Sequence, residues 1–453
     1  LFSMADLDRT RPGCGELYAA WEQTRDAAGV DRWALSDLKS GRQWTFAEIQ
    51  DAVDRRAPRD PREIRFPTGF STELVFETLC AWRDGALLCP VEKAGDEPEA
   101  SAFHDLPGET AHVKITSGST GRPRLVRFLG PDLAADARKI VSTMGLRTEW
   151  PNLGVISMAH SYGFSSLVLP LLLHGIPLAW LGDPMPAAVG SGLAELPRRG
   201  DGWTLPAVPA MWRAWLTGGV LNRERLKLAI SAGAPLPLEI EHAVFESAGV
   251  KIHNFLGSSE CGGIAYDRTE TPRASSDSVG SAMDETRLRV NDEDGCLEVH
   301  AASVAAGYWP SEPDGAIGEG VFYTSDLAEI DSENQVRLSG RRDDLINVAG
   351  RKVSPAKVEA ALSQHPELDC VLVFGVPSAD SARGDEIVVA FSSTPEANEE
   401  SLRRFAAERL AAHEMPRHWW PCPDLAPDAR GKISRRSWRE RFLQARGSST
   451  QQG

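Results

Sequence analysis

The chain reads as an α/β protein with a substantial sheet, followed by a small α+β unit, and three observations predict this. Short β-rich runs at 113–116, 155–158, 178–181, 226–231 and 250–255 alternate with helix-patterned stretches at 133–145 and 237–248. The 453 residues are enough for two or three folding units and a sizeable core. After Leu338 the texture changes: a polar stretch at 340–344 precedes helix-like 357–363, strand-like 370–376 and 387–391, and helix-like 401–413.

Composition narrows the class. Hydrophobic residues at 42% and charged residues at 25% match a compact globular protein, and 40 Gly with 30 Pro imply many turns. Lys and Arg number 49 against 64 Asp and Glu, a net charge of −15, which argues against duplex nucleic acid or an anionic membrane as main partner. The seven cysteines are odd in number, scattered and without a CxxC pair, so neither a disulfide framework nor a zinc site is expected and a reducing cytoplasm is the natural compartment. The charges at Asp6, Asp8, Arg9 and Arg11 leave no apolar core of signal-peptide length. The apolar run at 168–173 is broken by His174 and Gly175, well short of the roughly 20 residues that span a bilayer, so no membrane span is expected. The polar stretch 447–453 reads as a disordered tail.

One segment carries chemistry. A strand ending at Thr116 runs into Ser117, Gly118, Ser119, Thr120, Gly121, Arg122, Pro123 and Arg124. Glycines let backbone N–H groups approach an anion, and hydroxyls with a nearby Arg add donors, so such a loop can hold phosphate; a Ser/Gly-rich surface turn is the plain alternative. The G-x-x-x-x-G-K-[ST] loop of common nucleoside-triphosphatases fits neither here nor around Gly431-Lys432-Ile433-Ser434.

The segment instead resembles the signature loop of the adenylate-forming superfamily, which includes acyl-CoA and aryl-CoA ligases and the adenylation domains of peptide synthetases. Four further segments resemble that family's motifs in order: Asn254-Phe255-Leu256-Gly257-Ser258-Ser259-Glu260, Tyr323-Thr324-Ser325-Asp326, the hinge motif from Gly340 to Gly350, and Gly431-Lys432-Ile433-Ser434-Arg435. Weaker matches at 44–49, 82–90 and 231–235 extend the resemblance over nearly the whole chain.

The resemblance implies a large N-terminal domain of packed sheet and helix subdomains at 1–342 and a small mobile C-terminal domain at 343–446. It also implies a reaction: attack of a carboxylate on the ATP α-phosphate, release of pyrophosphate, and transfer of the acyl group from AMP to the thiol of CoA or of a carrier protein's phosphopantetheine. Residue by residue, Thr116, Ser117, Gly118, Ser119, Thr120, Gly121, Arg124 and Ser259 would hold phosphate, and Glu260 would ligate Mg²⁺. Gly233, Ala234, Pro235, Phe255 and Leu256 would border adenine, and Asp326 and Arg341 the ribose. Lys432 would bridge the substrate carboxylate and the α-phosphate, and Asp343 would be the hinge.

The pattern is not followed everywhere. Arg124 stands for the loop's usual final lysine, Leu256 for the aromatic that stacks on adenine, and Ser259 for a threonine. By the same resemblance the acyl pocket would be lined by His160, Tyr162, Phe164, Ala232, Gly233, Phe255, Gly257, Gly262, Gly263 and Ile264, with the two adjacent glycines leaving room for a ring or chain. No aspartate occurs at 159–165 to pair with an α-ammonium, so an aryl or fatty acid is expected rather than an amino acid. A catalytically inactive acyl or nucleotide sensor of the same fold is the alternative.

Overall fold

A computed structural model describes residues 11–116, 124–194, 201–310, 316–378, 384–394, 398–426 and 433–450. The chain divides into two compact units. The first is Leu1–Arg289, Glu298–Thr324 and Ser332–Val336; the second is Val290–Leu297, Ser325–Asp331 and Arg337–Gly453. The division is therefore not a single cut near residue 343, because two short segments around 294 and 328 belong with the C-terminal part.

In the first unit nine strands lie side by side in the order Arg42–Thr45, Trp33–Asp37, Leu178–Trp180, Asn152–Gly154, Trp203–Ala207, Leu226–Ser231, Ile252–Ser258, Gly262–Tyr266, Ser278–Ala282. The six from Trp33–Asp37 to Ile252–Ser258 are parallel, and antiparallel pairs close both ends. Parallel strands are covered on both faces, which explains why Trp203–Ala207 and four successive residues from Leu228 are buried without alternation. A second sheet runs Gly307–Trp309, Arg124–Phe128, His112–Thr116, Leu87–Leu88, Ile64–Arg65. Helix Gly130–Met144 starts where the Asp132 carboxylate accepts the Leu129 N–H at 2.8 Å and ends on Gly145 at φ +62°.

The second unit is built on a three-stranded sheet. Leu368–Pro377 pairs antiparallel with Asp385–Ser393, and His418–Pro421 joins the latter in parallel. Alternation in these strands feeds two cores. Val373 and Val389 pack with Val358, Leu362 and Leu402, whereas Leu372, Phe374 and Val388 face Trp420, Trp438 and Phe442.

Three local expectations are corrected. The strand expected at 155–158 lies at Asn152–Gly154, because the chain then leaves the sheet so that the Met158 N–H can donate to Gly69 O at 2.9 Å and Ser157 Oγ to Glu92 at 2.8 Å. The helix expected to reach 413 stops at Ala407, where Leu410 N–H closes a turn on Ala406 O and Glu414 accepts the Ala411 N–H. The last helix, Arg435–Thr450, continues four residues into the stretch expected to be a tail, beyond the turns anchored by Trp438 and Phe442.

Candidate active site

Thr116 and Arg124 face one another across the antiparallel pair His112–Thr116 and Arg124–Phe128, so this hairpin holds both ends of the expected phosphate loop. Ser117, Gly118, Ser119, Thr120 and Gly121 lie outside the described residues, as does Lys432. The Arg124 guanidinium sits 5.3 Å from the Tyr308 ring centroid, and Tyr308 Oη donates to Glu260 Oε1 at 3.1 Å. Burial and the neighbouring Glu260 carboxylate push the Tyr308 phenol up, so it remains a donor. The expected metal-binding carboxylate is thus oriented by a tyrosine that no motif singled out.

The turn after Ile252–Ser258 is fixed by its own polar atoms. Ser258 Oγ accepts the Glu260 N–H at 3.1 Å, Glu260 O accepts the Ala305 N–H at 2.9 Å, and Ser161 Oγ donates to Ser259 Oγ at 3.0 Å. The last bond joins the expected phosphate motif to the segment expected to border the acyl group.

Beneath this turn lies a buried polar network. Asp136 Oδ1 accepts the Gly263 N–H at 3.1 Å and its Oδ2 accepts Ser165 Oγ at 2.6 Å. Lys139 Nζ donates to Cys261 O at 3.1 Å and to Ser303 Oγ, and lies 3.8 Å from Asp136. Two opposite charges, each almost wholly desolvated, survive there because both are bonded several times over. An i, i+3 Asp and Lys on the inward face of helix Gly130–Met144 was the available sequence signal for this network.

The glycines do not leave the space expected of them. Gly262 has φ +70°, and a Cβ there would lie 1.9 Å from Asp136 Oδ1; one on Gly263 would lie 2.3 Å from Met283 Sδ. Both are glycine because protein already fills the volume beside them. Phe255 is 6% exposed and 5.8 Å from the Tyr162 ring, and Tyr162 Oη donates to Ile230 O at 3.2 Å. Gly257, on the same strand, would meet Phe255 Cζ at 3.3 Å if it carried a Cβ, and Leu256, one residue on, is half-buried. Ala232 and Ile264 are buried, whereas Gly233, at φ +87°, Ala234 and Pro235 form an accessible turn.

His160 Nε2 lies 3.0 Å from Glu92 Oε1 without the alignment of a hydrogen bond, and both side chains are partly accessible. Phe164 is corrected from pocket wall to core: it is fully buried and stacks on His112 at 4.5 Å. His112 and Lys114 are also buried, with Lys114 Nζ 4.3 Å from the Phe128 ring centroid. Burial, reinforced by Lys114, holds the His112 imidazole well below its usual range, hence neutral.

In the second unit Arg341 Nε donates to Asp326 Oδ1 at 2.9 Å, so the two residues expected at the ribose are neighbours. Asp343, the expected hinge, is exposed in the turn Arg342–Asp344. Its neighbour Asp344 accepts Arg435 Nη1 at 3.0 Å, while Arg435 Nη2 donates to Glu359 at 2.5 Å and its Nε to Val373 O at 3.1 Å. Arg435 was read only as part of the lysine-loop motif; its three-way anchorage depends on packing that sequence does not display.

Comparison with known proteins identifies the family and the fold. Residues 67–309 match the family described as AMP-binding enzyme, and 357–432 match the AMP-binding enzyme C-terminal domain. A probable 2-succinylbenzoate–CoA ligase of Mycobacterium tuberculosis is 28% identical over 84% of this chain and 98% of its own. A long-chain-fatty-acid–CoA ligase of Bacillus subtilis is 25% identical over 75% of this chain, which spans only 62% of that relative's length. Among solved structures, ATP-bound MatB from Rhodopseudomonas palustris superposes with a TM-score of 0.81 at 20% identity, over 94% of this chain and 99% of that one. The o-succinylbenzoate CoA synthetase of Bacillus subtilis, solved with its acyl-adenylate, gives 0.81 at 19% identity, over 92% and 97%.

Proposed function

The chain belongs to the AMP-binding enzyme family, and on that premise we propose that it activates a carboxylic acid with ATP, releases pyrophosphate, and passes the acyl group from AMP to a thiol. The observation that carries this reading is the chain Arg124–Tyr308–Glu260 beside the hairpin that holds the phosphate loop. A cation, a phenol and a carboxylate in succession suit a site where two anions would have to meet.

Bringing a carboxylate to a triphosphate requires neutralised charge and fixed geometry. Arg124 supplies positive charge at the end of the loop, and Ser259, held by Ser161, presents its hydroxyl to phosphate. A single accessible-edge carboxylate whose other partner is a phenol suits a hard cation that takes its remaining ligands from phosphate and water, so Glu260 would hold Mg²⁺, which supplies charge neutralisation when bound. Asp326 would accept from the ribose hydroxyls and Arg341 would donate to the same sugar. Lys432 would stabilise the charge that develops between carboxylate and α-phosphate. Asp343 would serve as the pivot that exchanges this lysine for the thiol.

The acid is an aryl or fatty acid rather than an amino acid, and the thiol is that of CoA or of a carrier protein's phosphopantetheine. CoA is favoured because the relatives named above are CoA ligases. Seven free cysteines, six of them buried, suit work in a reducing cytoplasm, and among the described residues no helix is long and apolar enough to cross a membrane.

The test is acid-dependent exchange of pyrophosphate into ATP with Mg²⁺, for native protein and Lys432→Ala. Exchange that falls by at least about a hundredfold in the variant is expected. Folded native protein that binds ATP yet exchanges with no acid would replace the ligase by a sensor of the same fold.

A further inference from the structure

The face of strand Ile252–Ser258 expected to border the acyl group is occupied by this chain's own side chains. Phe255 lies under it, only 6% exposed, and its ring is so close to the backbone that a Cβ on Gly263 of the neighbouring strand would be 3.2 Å from Phe255 Cε2 and one on Gly257 of its own strand 3.3 Å from its Cζ. From one side Tyr162 closes on the ring at 5.8 Å, and its hydroxyl is tied to Ile230 O at 3.2 Å, so it swings away only by leaving a phenol unbonded. Met283, 2% exposed, fills the position where a side chain on Gly263 would begin, beside the Phe255 ring.

We propose that Phe255, Tyr162 and Met283 form a closed floor that restricts the enzyme to compact acids, of a few carbons or a single small ring, and rejects long-chain fatty acids. The proposal rests on the ligase reading and narrows its substrate. Interiors are packed to crystal density, so a chain running past this floor has to displace a ring packed against Tyr162 and the Gly263–Met283 contact. Each methylene that a hydrophobic pocket cannot accept is worth roughly 10-fold or more in selectivity. The long-chain specificity named for one relative therefore does not transfer to this chain.

The experiment is the exchange assay with acetate, propanoate, butanoate, hexanoate, decanoate and benzoate, on the full chain and on Phe255→Ala and Met283→Ala. The native chain is expected to use its best compact acid with a kcat/KM more than about 100-fold above decanoate, and either variant to narrow that ratio by about tenfold. Two variants are used because removing Phe255 empties a core position; circular dichroism establishes that each is folded. Decanoate equal to or better than the compact acids in the native chain would overturn the proposal. So would a native preference left unchanged by both folded variants. Exchange with no acid at all is a different result, and it would remove the ligase reading together with this one.

Discussion

In the first unit Asp136 and Lys139, their side chains 2% and 1% exposed, are bonded under the turn that presents Glu260; in the second, Arg341 meets Asp326 with its own side chain 62% exposed. Both are Arg/Lys–Asp pairs near residues assigned to nucleotide, yet their physics is opposite. The buried pair has given up hydration and is held by Ser165, Ser303, Cys261 O and Gly263 N–H, so losing one partner strands a charge. The second pair, its arginine 62% and its aspartate 17% exposed, is partly screened by water and salt and can open at less cost. The pair beneath the turn that carries Glu260 is thus held rigidly, whereas the pair expected at the ribose exchanges more readily.

Three measurements sharpen or break this contrast. The largest effect is expected from Asp136→Ala, which leaves Lys139 buried without its counter-charge: unfolding in urea should show a loss of about 3–5 kcal/mol. A loss below about 1 kcal/mol would mean that the network is not what holds the turn.

A smaller effect is expected from Asp132, on the same helix as that network. Burial pushes its carboxyl up to about 6 from 3.8, against the Leu129 N–H that lowers it. A carboxyl raised in the folded state stabilises it below the unfolded value and loses that contribution as pH rises through the folded one. The stability of native protein relative to Asp132→Asn should therefore fall between about pH 4 and pH 7, by on the order of 1–2 kcal/mol, in thermal scans across that range. A pH-independent difference would contradict it.

The smallest effect on stability belongs to Arg341→Ala, at most about 1 kcal/mol, because its pair with Asp326 is exposed. The KM for ATP should nevertheless rise about tenfold in the exchange assay, the separation of stability from binding that the contrast requires. A stability loss as large as that of Asp136→Ala would erase the difference between the two regions.

What sequence displayed follows the same division. Strand Leu226–Ser231 and helix Leu238–Ala248 were legible because local pattern and burial agree there, and the fold class and family followed from motifs whose residues need specific backbone. The support behind them was not legible. Tyr308 lies 48 residues from Glu260, Ser303 lies 164 from Lys139, and no periodicity reports which remote hydroxyl closes a network. The reading of Gly262 and Gly263 failed for a related reason: a missing side chain signals close approach, but not whether substrate or protein makes it.

Arg435 has a consequence of a geometric kind. It is fastened to Asp344, beside the expected hinge, and to Glu359 and Val373, so its own position is settled within the second unit. Lys432 precedes it by three residues, and three residues of fully extended chain span at most about 11 Å. The lysine is therefore on a short leash whose fixed end sits beside the pivot. Under the roles proposed for Lys432 and Asp343, travel of the lysine beyond that tether would call for rotation at the hinge.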